Sequence, residues 1–173
     1  MSNGRALLVI DVQRVYMEPE PMVTAAGDDL VPKCRALIAR ARETGVPVLY
    51  VQHVSEDQPD DPVLVGIHPE IAPRSGEPVI RKEFGSAFVK TSLQQHLQEL
   101  RVQTLYICGL ATFGCVHATV MCALCKEYVV NVVEDAHGTT DLPGSTAAEI
   151  VVHFNRTWKR AGASLQRAAD VTF

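Results

Sequence analysis

The stretch Ala6-Leu7-Leu8-Val9-Ile10-Asp11 decides the fold. Its five consecutive apolar residues leave no polar face, which is typical of a parallel strand that helices cover on both sides. Further along the chain, short β-rich runs alternate with longer stretches whose apolar residues recur every three or four positions. This alternation predicts an α/β fold with three layers, α/β/α, and a Rossmann-like, mostly parallel sheet of about six strands with helices on both faces.

The predicted elements follow one another in a single ordered series. Strands are predicted at 6–10, 46–51, 78–82, 104–108, 129–133 and 168–171. Helices are predicted from Leu30 to a close near Gly45, and at 92–101, 116–126 and 146–160. Thr91 and Gln94 have the spacing of a capping box before the second of these helices. The polar stretch from Ser55 to Glu77 is long for a connection, and loops of that length are more often functional than idle.

Composition narrows the class of protein. The 173 residues fit one domain, which we expect to span residues 1–173. The net charge of −4 and the lack of a basic tail or stripe argue against both a nucleic-acid partner and a membrane partner. Five cysteines form an odd set without regular spacing, and no signal peptide precedes the first strand, so we expect a reducing, cytoplasmic environment rather than disulfides.

Three reactive side chains fall where predicted strands end: Asp11, Lys82 and Cys115. In open parallel sheets the functional site lies beyond the carboxyl ends of the strands. Taken singly, each has a common structural explanation. An Asp after a strand is about as often a turn cap as a functional residue, a lysine at a strand end is usually solvated, and a cysteine usually lies in the core. Cys115 lies at a strand-turn-helix junction, where free N–H groups favour a thiolate and can bind an oxyanion. On a helix, His117 would lie about 200° around the axis from Cys115 and point away from it. Asp11 is therefore the better candidate for the base that accepts the thiol proton.

The chain resembles the isochorismatase-like cysteine hydrolases in four ordered segments that span nearly all of it. These are Ala6 to Gln13, Lys82 with Gly85-Ser86-Ala87-Phe88, Gly109-Leu110-Ala111-Thr112 followed by Cys115-Val116, and Glu134-Asp135-Ala136-His137. The resemblance implies a catalytic triad of Asp11, Lys82 and Cys115. It also implies a cis peptide bond between Leu110 and Ala111, and an oxyanion hole built from the backbone N–H groups of Ala111 and Cys115.

The same resemblance narrows the chemistry. The presence of Cys115 favours hydrolysis of a carbon-nitrogen bond over the vinyl-ether hydrolysis of isochorismatases proper, and residues 135–142 are most similar to the subgroup that includes streptothricin hydrolase. Nicotinamidases of the family hold a metal ion at an Asp-x-His pair after the second strand. This chain has Val51-Gln52-His53 there, so we expect no metal ion and no other cofactor, and interpret His53 as a hydrogen-bonded loop residue.

The expected substrate is a small amide, lactam or carbamoyl compound. The candidates for binding it are Gln13, Tyr16, Phe84, Phe88, Phe113 and His137. Core packing explains the three phenylalanines about equally well, and a structural role explains His137 better. We also expect a homo-oligomer, a dimer or larger, with the apolar last helix as a possible interface. The alternatives are a vinyl-ether hydrolase, a catalytically silent oligomeric binding protein, and a redox protein that uses Cys122 and Cys125.

Overall fold

Six strands form one parallel sheet in the computed structural model, which describes residues 4–18, 22–25 and 27–173. They are β1 (Arg5–Ile10), β2 (Val48–His53), β3 (Val79–Lys82), β4 (Thr104–Gly109), β5 (Val129–His137) and β6 (Ser164–Gln166). Their order in the sheet is β3-β2-β1-β4-β5-β6, and every neighbouring pair is parallel. The prediction of a six-stranded parallel α/β fold is confirmed. Since the strand order reverses between β1 and β4, a site is expected at their carboxyl ends.

Helices cover both faces of the sheet. They are α1 (Arg14–Met17), α2 (Leu30–Thr44), α3 (Leu93–Glu99), α4 (His117–Cys125) and α5 (Ala147–Arg160), with a 3₁₀ turn at Pro69–Ile71 and a π-helical turn at Thr112–Val116. Helix α2 packs on one face, while residues of α3, α4 and α5 pack on the other. No helix in the described part of the chain is both long enough and apolar enough to span a bilayer.

Strand β1 supplies side chains to both layers of the core. Leu7 and Val9 pack with α2, whereas Ala6, Leu8 and Ile10 pack into the opposite core, and all five are 0% exposed. This explains why the strand has no polar face. Because β1 pairs with β2 on one side and β4 on the other, Asp11 follows a central strand of the sheet.

The C-terminal strand was predicted wrongly. β6 is Ser164–Gln166, and residues 168–171 form no strand. Ala168 and Val171 instead pack into the core beside α2, and the Arg40 guanidinium donates hydrogen bonds to the carbonyl oxygens of both residues. The apolar positions of this segment therefore reflect packing of an irregular chain over a helix.

One prediction about a helix end was also wrong. Thr91 and Gln94 form no capping box: Thr91 accepts a hydrogen bond from the Leu93 N–H, and Gln94 donates to Tyr128. A capping box occurs at Thr146, the residue directly before α5. Of the apolar α5 residues expected to be available for an interface, Ala147, Ile150 and Val151 are buried within the chain, whereas Ala148 and Phe154 are half-buried.

Candidate active site

The three reactive residues meet at one edge of the sheet because their strands are parallel. Asp11 follows β1, Lys82 ends β3, and Cys115 lies in the π-helical turn after β4. Asp11 has a positive φ of 50°, a conformation that is strained for residues other than glycine. Its backbone is held there by a 3.0 Å hydrogen bond from its N–H to the Val51 oxygen and a 2.8 Å bond from the Gln13 N–H to its own oxygen.

The Lys82 ammonium is the centre of the cluster. Its Nζ lies 2.7 Å from Asp11 Oδ2, 3.1 Å from Cys115 Sγ and 3.2 Å from His53 Nδ1. The side chains of Lys82 and Asp11 are 0% and 3% exposed, so the ion pair is almost completely shielded from water. Asp11 Oδ1 accepts a hydrogen bond from no residue that the structure describes, which leaves this oxygen free to take up a proton.

Sequence reasoning missed His53 as a site residue. It is the last residue of β2 rather than a loop residue, and it pairs in register with Lys82 on β3. An ammonium only donates, so His53 Nδ1 accepts and the ring proton resides on Nε2. Burial, together with the positive charge of Lys82, lowers the pKa of His53 and keeps the ring neutral. The rule that sites lie at strand ends could have identified it.

Burial has a large effect on the Cys115 thiol. It raises the pKa of Cys115 to about 11, and the negative charge of Asp11 acts in the same direction while Lys82 opposes it. The pKa of Asp11 is also raised, because desolvation outweighs the attraction of Lys82. Burial and the charge of Asp11 therefore oppose the stabilisation of a thiolate that was expected from the helix terminus. The thiol keeps its proton at neutral pH, and Asp11 becomes a stronger base than an exposed carboxylate.

Alkylation of Cys115 by iodoacetamide should accelerate about tenfold per pH unit up to pH 10, since only the thiolate reacts. A free model thiol with a pKa of about 8.5 levels off earlier. Peptide mass spectrometry would separate Cys115 from Cys125, which is exposed on α4 and serves as an internal reference. A rate at Cys115 that levels off below pH 8 would contradict the raised pKa.

The turn that carries Cys115 is tied down on both sides of Ala111. The Ala111 carbonyl accepts hydrogen bonds from the N–H groups of Gly114 and Val116, and the Thr112 N–H donates to Gly138 at 2.9 Å. The Ala111 N–H donates to no residue that the structure describes. Ala111 also lines the pocket beside Cys115. Its free N–H is therefore available to a developing oxyanion.

A small pocket opens onto Cys115. Its volume is ≈ 220 Å³, and it is lined by Asp11, Tyr16, Met22, His53, Leu110, Ala111, Gly114 and Cys115. Met22 lies in none of the sequence motifs, so nothing in the sequence predicted its place in the pocket. The lining is mainly apolar around a few polar atoms, which is the usual character of a site for a small molecule.

Of the six residues expected to bind substrate, Tyr16 lines this pocket. The other five are not among its lining residues. Gln13 is buried and clamps the end of β2, accepting from the His53 N–H at 2.7 Å and donating to the His53 oxygen at 3.0 Å. Phe84 and Phe113 are exposed at the surface, and Phe88 packs on Tyr128 with ring centroids 6.0 Å apart. Their apolar character therefore reflects surface and core packing rather than the pocket wall.

His137 is also a structural residue rather than a pocket residue. It is completely buried, with Nδ1 3.0 Å from Thr112 Oγ1 and Nε2 3.0 Å from Asn155 Oδ1. Burial lowers its pKa to about 4, so the ring is neutral. His137 thus fixes Thr112 at the start of the turn that carries Cys115. His117, as expected, is engaged elsewhere, since its Nδ1 accepts a 3.1 Å hydrogen bond from the Trp158 indole.

Asp11, His53 and Cys115 are the described residues whose donor atoms could hold a metal ion, since one atom of each lies within 4.8 Å of the others. The Lys82 ammonium contacts all three residues, so it already supplies the cation that this donor set binds. A metal ion at the same position would have to displace a buried lysine. The Asp11 carboxylate, the His53 imidazole and the Cys115 thiol here contact the Lys82 ammonium.

Comparisons with curated proteins place this geometry in a family. The isochorismatase domain model matches residues 5–157. The chain is similar to the uncharacterized isochorismatase family protein YddQ of Bacillus subtilis (37% identity over 79% of this chain and 79% of that protein). It is also similar to streptothricin hydrolase of Streptomyces noursei (35%, over 82% and 57%) and N-carbamoylsarcosine amidase of an Arthrobacter species (30%, over 73% and 56%). The matched region spans little more than half the length of these two enzymes.

Solved structures give the same answer. The chain superposes on a crystal structure of an isochorismatase from Pseudomonas putida KT2440 with a TM-score of 0.88 and 29% identity. The match covers 98% of this chain and 90% of that one. Sequence and structure therefore agree that the chain belongs to the isochorismatase family of hydrolases.

Proposed function

We propose that the protein is a metal-free cysteine amidohydrolase that cleaves the C–N bond of a small amide, lactam or carbamoyl compound through a thioester on Cys115. The observation that carries this proposal is the buried Lys82 ammonium, 2.7 Å from the Asp11 carboxylate and 3.1 Å from the Cys115 sulfur, beside a small pocket. It joins a nucleophile to a base, and its ion pair with Asp11 is almost completely buried. The activities named for streptothricin hydrolase and N-carbamoylsarcosine amidase are compatible with this chemistry.

Acylation would begin with the neutral thiol. As Cys115 Sγ attacks the scissile carbonyl, Asp11 accepts the thiol proton, and the raised pKa values of both groups favour transfer during attack rather than before it. The carbonyl oxygen becomes an oxyanion, which the free Ala111 N–H can stabilise together with the Cys115 N–H. Collapse of this intermediate breaks the C–N bond, and Asp11 returns the proton to the departing nitrogen.

Deacylation would use the same groups in reverse roles. Asp11 removes a proton from water, the hydroxide oxygen attacks the thioester, and the carboxylic acid product leaves as Cys115 recovers its proton from Asp11. Each cycle consumes one amide and one water and releases one acid and one amine. Lys82 keeps Asp11 ionised between these steps by lowering its pKa against the effect of burial.

A panel of small primary amides, lactams and carbamoyl compounds, screened for release of ammonia or amine, tests the proposal. At least one compound should be hydrolysed by the wild type and by Cys125→Ala, and not by Cys115→Ala. Cys125 is a matched control because it is an exposed thiol on the following helix. Amide turnover that survives Cys115→Ala would contradict the role of Cys115 as the nucleophile, and binding without turnover would favour a silent member of the family.

We extend the proposal to the setting of the enzyme. All five cysteines are free, so a reducing compartment such as the cytoplasm would preserve the Cys115 thiol. A homo-oligomer is also part of the proposal. Its interface would have to exclude Ala147, Ile150 and Val151 of α5, because these side chains are buried in the chain's own core.

A further inference from the structure

We propose that the pocket selects uncharged amides that carry a hydrogen-bond acceptor away from the scissile carbonyl, and that it excludes amides bearing a carboxylate. This inference rests on the proposed function and names its substrate class. Three features of the pocket support it: two hydrogen-bond donors without a protein acceptor, a lysine whose charge is already paired, and negative charge nearby.

No cation in the pocket is free to bind a carboxylate. The eight lining residues include no Lys or Arg, and the residues that the structure leaves undescribed, 1–3, 19–21 and 26, include none either. Lys82 lies behind the lining, and Asp11, Cys115 and His53 occupy its three donor positions. Its charge is balanced by Asp11, so an incoming anion meets a neutral pair rather than a cation.

Two neutral donors face no protein acceptor. Tyr16 Oη accepts a 2.8 Å hydrogen bond from Gln58 Nε2, which leaves the Tyr16 O–H hydrogen without an acceptor among the described residues. The Nε2–H of His53 likewise has none, since Nδ1 is the atom that contacts Lys82. Both side chains line the pocket next to Met22 and Leu110. A substrate with a carbonyl or amide oxygen at its far end would satisfy both donors within an otherwise apolar wall.

Negative charge lies beside the pocket. The residues that follow His53 and Lys82 line a second groove with three carboxylates: Glu56, Asp57 and Glu83. Asp57 interacts electrostatically with both Tyr16 and His53, which places its charge beside the two donors. An approaching carboxylate is therefore repelled at the point where a neutral oxygen would be bound.

Two alkylating reagents of nearly equal size test the charge preference without requiring any turnover: iodoacetamide is neutral and iodoacetate is an anion. We expect the rate ratio of iodoacetamide to iodoacetate at Cys115 to exceed the ratio for 2-mercaptoethanol by at least about 10-fold, because a carboxylate must approach Asp57 and finds no free cation. A ratio no higher than that of 2-mercaptoethanol overturns the proposal, since it would mean that Lys82 attracts anions to the sulfur.

A pair of charge variants assigns the source of the preference. Asp57→Asn should lower the ratio by at least about 3-fold, whereas Asp60→Asn, which removes an exposed charge from the same loop, should leave it unchanged. An Asp57→Asn protein that keeps the whole preference overturns the proposal. Neither residue belongs to the triad, so both variants should retain alkylation of Cys115.

Succinamide extends the test to turnover. Because its first hydrolysis leaves a carboxylate in place of one amide, we expect one equivalent of ammonia per molecule and accumulation of succinamate. Release of a second equivalent at a comparable rate overturns the selectivity while supporting amide hydrolysis. If no tested amide releases ammonia but alkylation shows the neutral preference, the proposed function fails and the inference about the pocket stands.

Discussion

Lys82→Met should lower kcat/KM for the best amide substrate by about 10²–10⁴-fold, the range that loss of general-base catalysis produces. The ammonium is what lowers the Asp11 pKa against the desolvation caused by burial. Without it, the Asp11 pKa rises further, and a carboxyl that holds its proton more tightly is less able to accept the thiol proton. The Cys115 pKa rises further as well, because Lys82 opposes the effect of burial on that thiol.

The rate loss should exceed the effect on folding. Methionine fills the buried space of the lysine stem, and a protonated Asp11 avoids leaving an unpaired charge. The Asp11 pKa is raised above its unfolded value near 3.8, so its contribution to stability is present in acid and is lost as the pH rises through the folded pKa. The variant should therefore lose thermal stability more steeply than the wild type as the pH rises through the folded-state pKa of Asp11, as scanning calorimetry would show.

Arg81→Met provides the matched control for this prediction. Arg81 precedes Lys82 on the same strand and carries the same charge, but its side chain points away from the buried cluster and is exposed. It should keep its turnover within about threefold, since surface substitutions usually have small effects. Unchanged turnover in Lys82→Met, or equal losses in the two variants, would show that Lys82 has no role in activating Asp11.

The sequence was most informative where burial is uniform. The apolar run before Asp11 predicted a central strand, and the ends of three strands located Asp11, Lys82 and Cys115 correctly relative to one another. Parallel strands force this outcome, because their carboxyl ends share one edge of the sheet. Position in a regular element is thus predictable from local pattern.

The polar contacts between elements were not predictable in the same way. His53 joins the cluster because it lies beside Lys82 in the register of β2 and β3, and register depends on the packing of both strands. The high pKa of Cys115 depends on how much water surrounding segments exclude, which a helix-terminus argument ignores. His137 and Gln13 resemble ligand-binding residues in the sequence, yet they satisfy buried backbone and side-chain groups around the site.

Gly109→Ala should produce the largest loss of stability, about 3–5 kcal/mol, or yield no soluble protein. Gly109 ends β4 with φ at +120°, a conformation that side chains rarely adopt. A Cβ there would lie 2.1 Å from the Ile10 oxygen and 2.7 Å from the Ile10 nitrogen. Both atoms belong to the backbone of the central strand, which cannot move without disturbing its pairing with β2 and β4.

Gly85→Ala separates this effect from a general intolerance of alanine near the site. The added Cβ would make an ordinary 3.6 Å contact with Ala118, so urea unfolding of this variant should stay within about 1 kcal/mol of the wild type. If Gly109→Ala unfolds at the same urea concentration as Gly85→Ala, the close approach of β4 to β1 is not required for stability. If it is destabilised as expected, any folded fraction should also lose turnover, because Gly109 directs the chain into the turn that carries the Ala111 N–H and Cys115. The carbonyl of Ile10 accepts the Leu110 N–H at 2.7 Å, so the same contact that excludes a side chain aligns Asp11 with that turn.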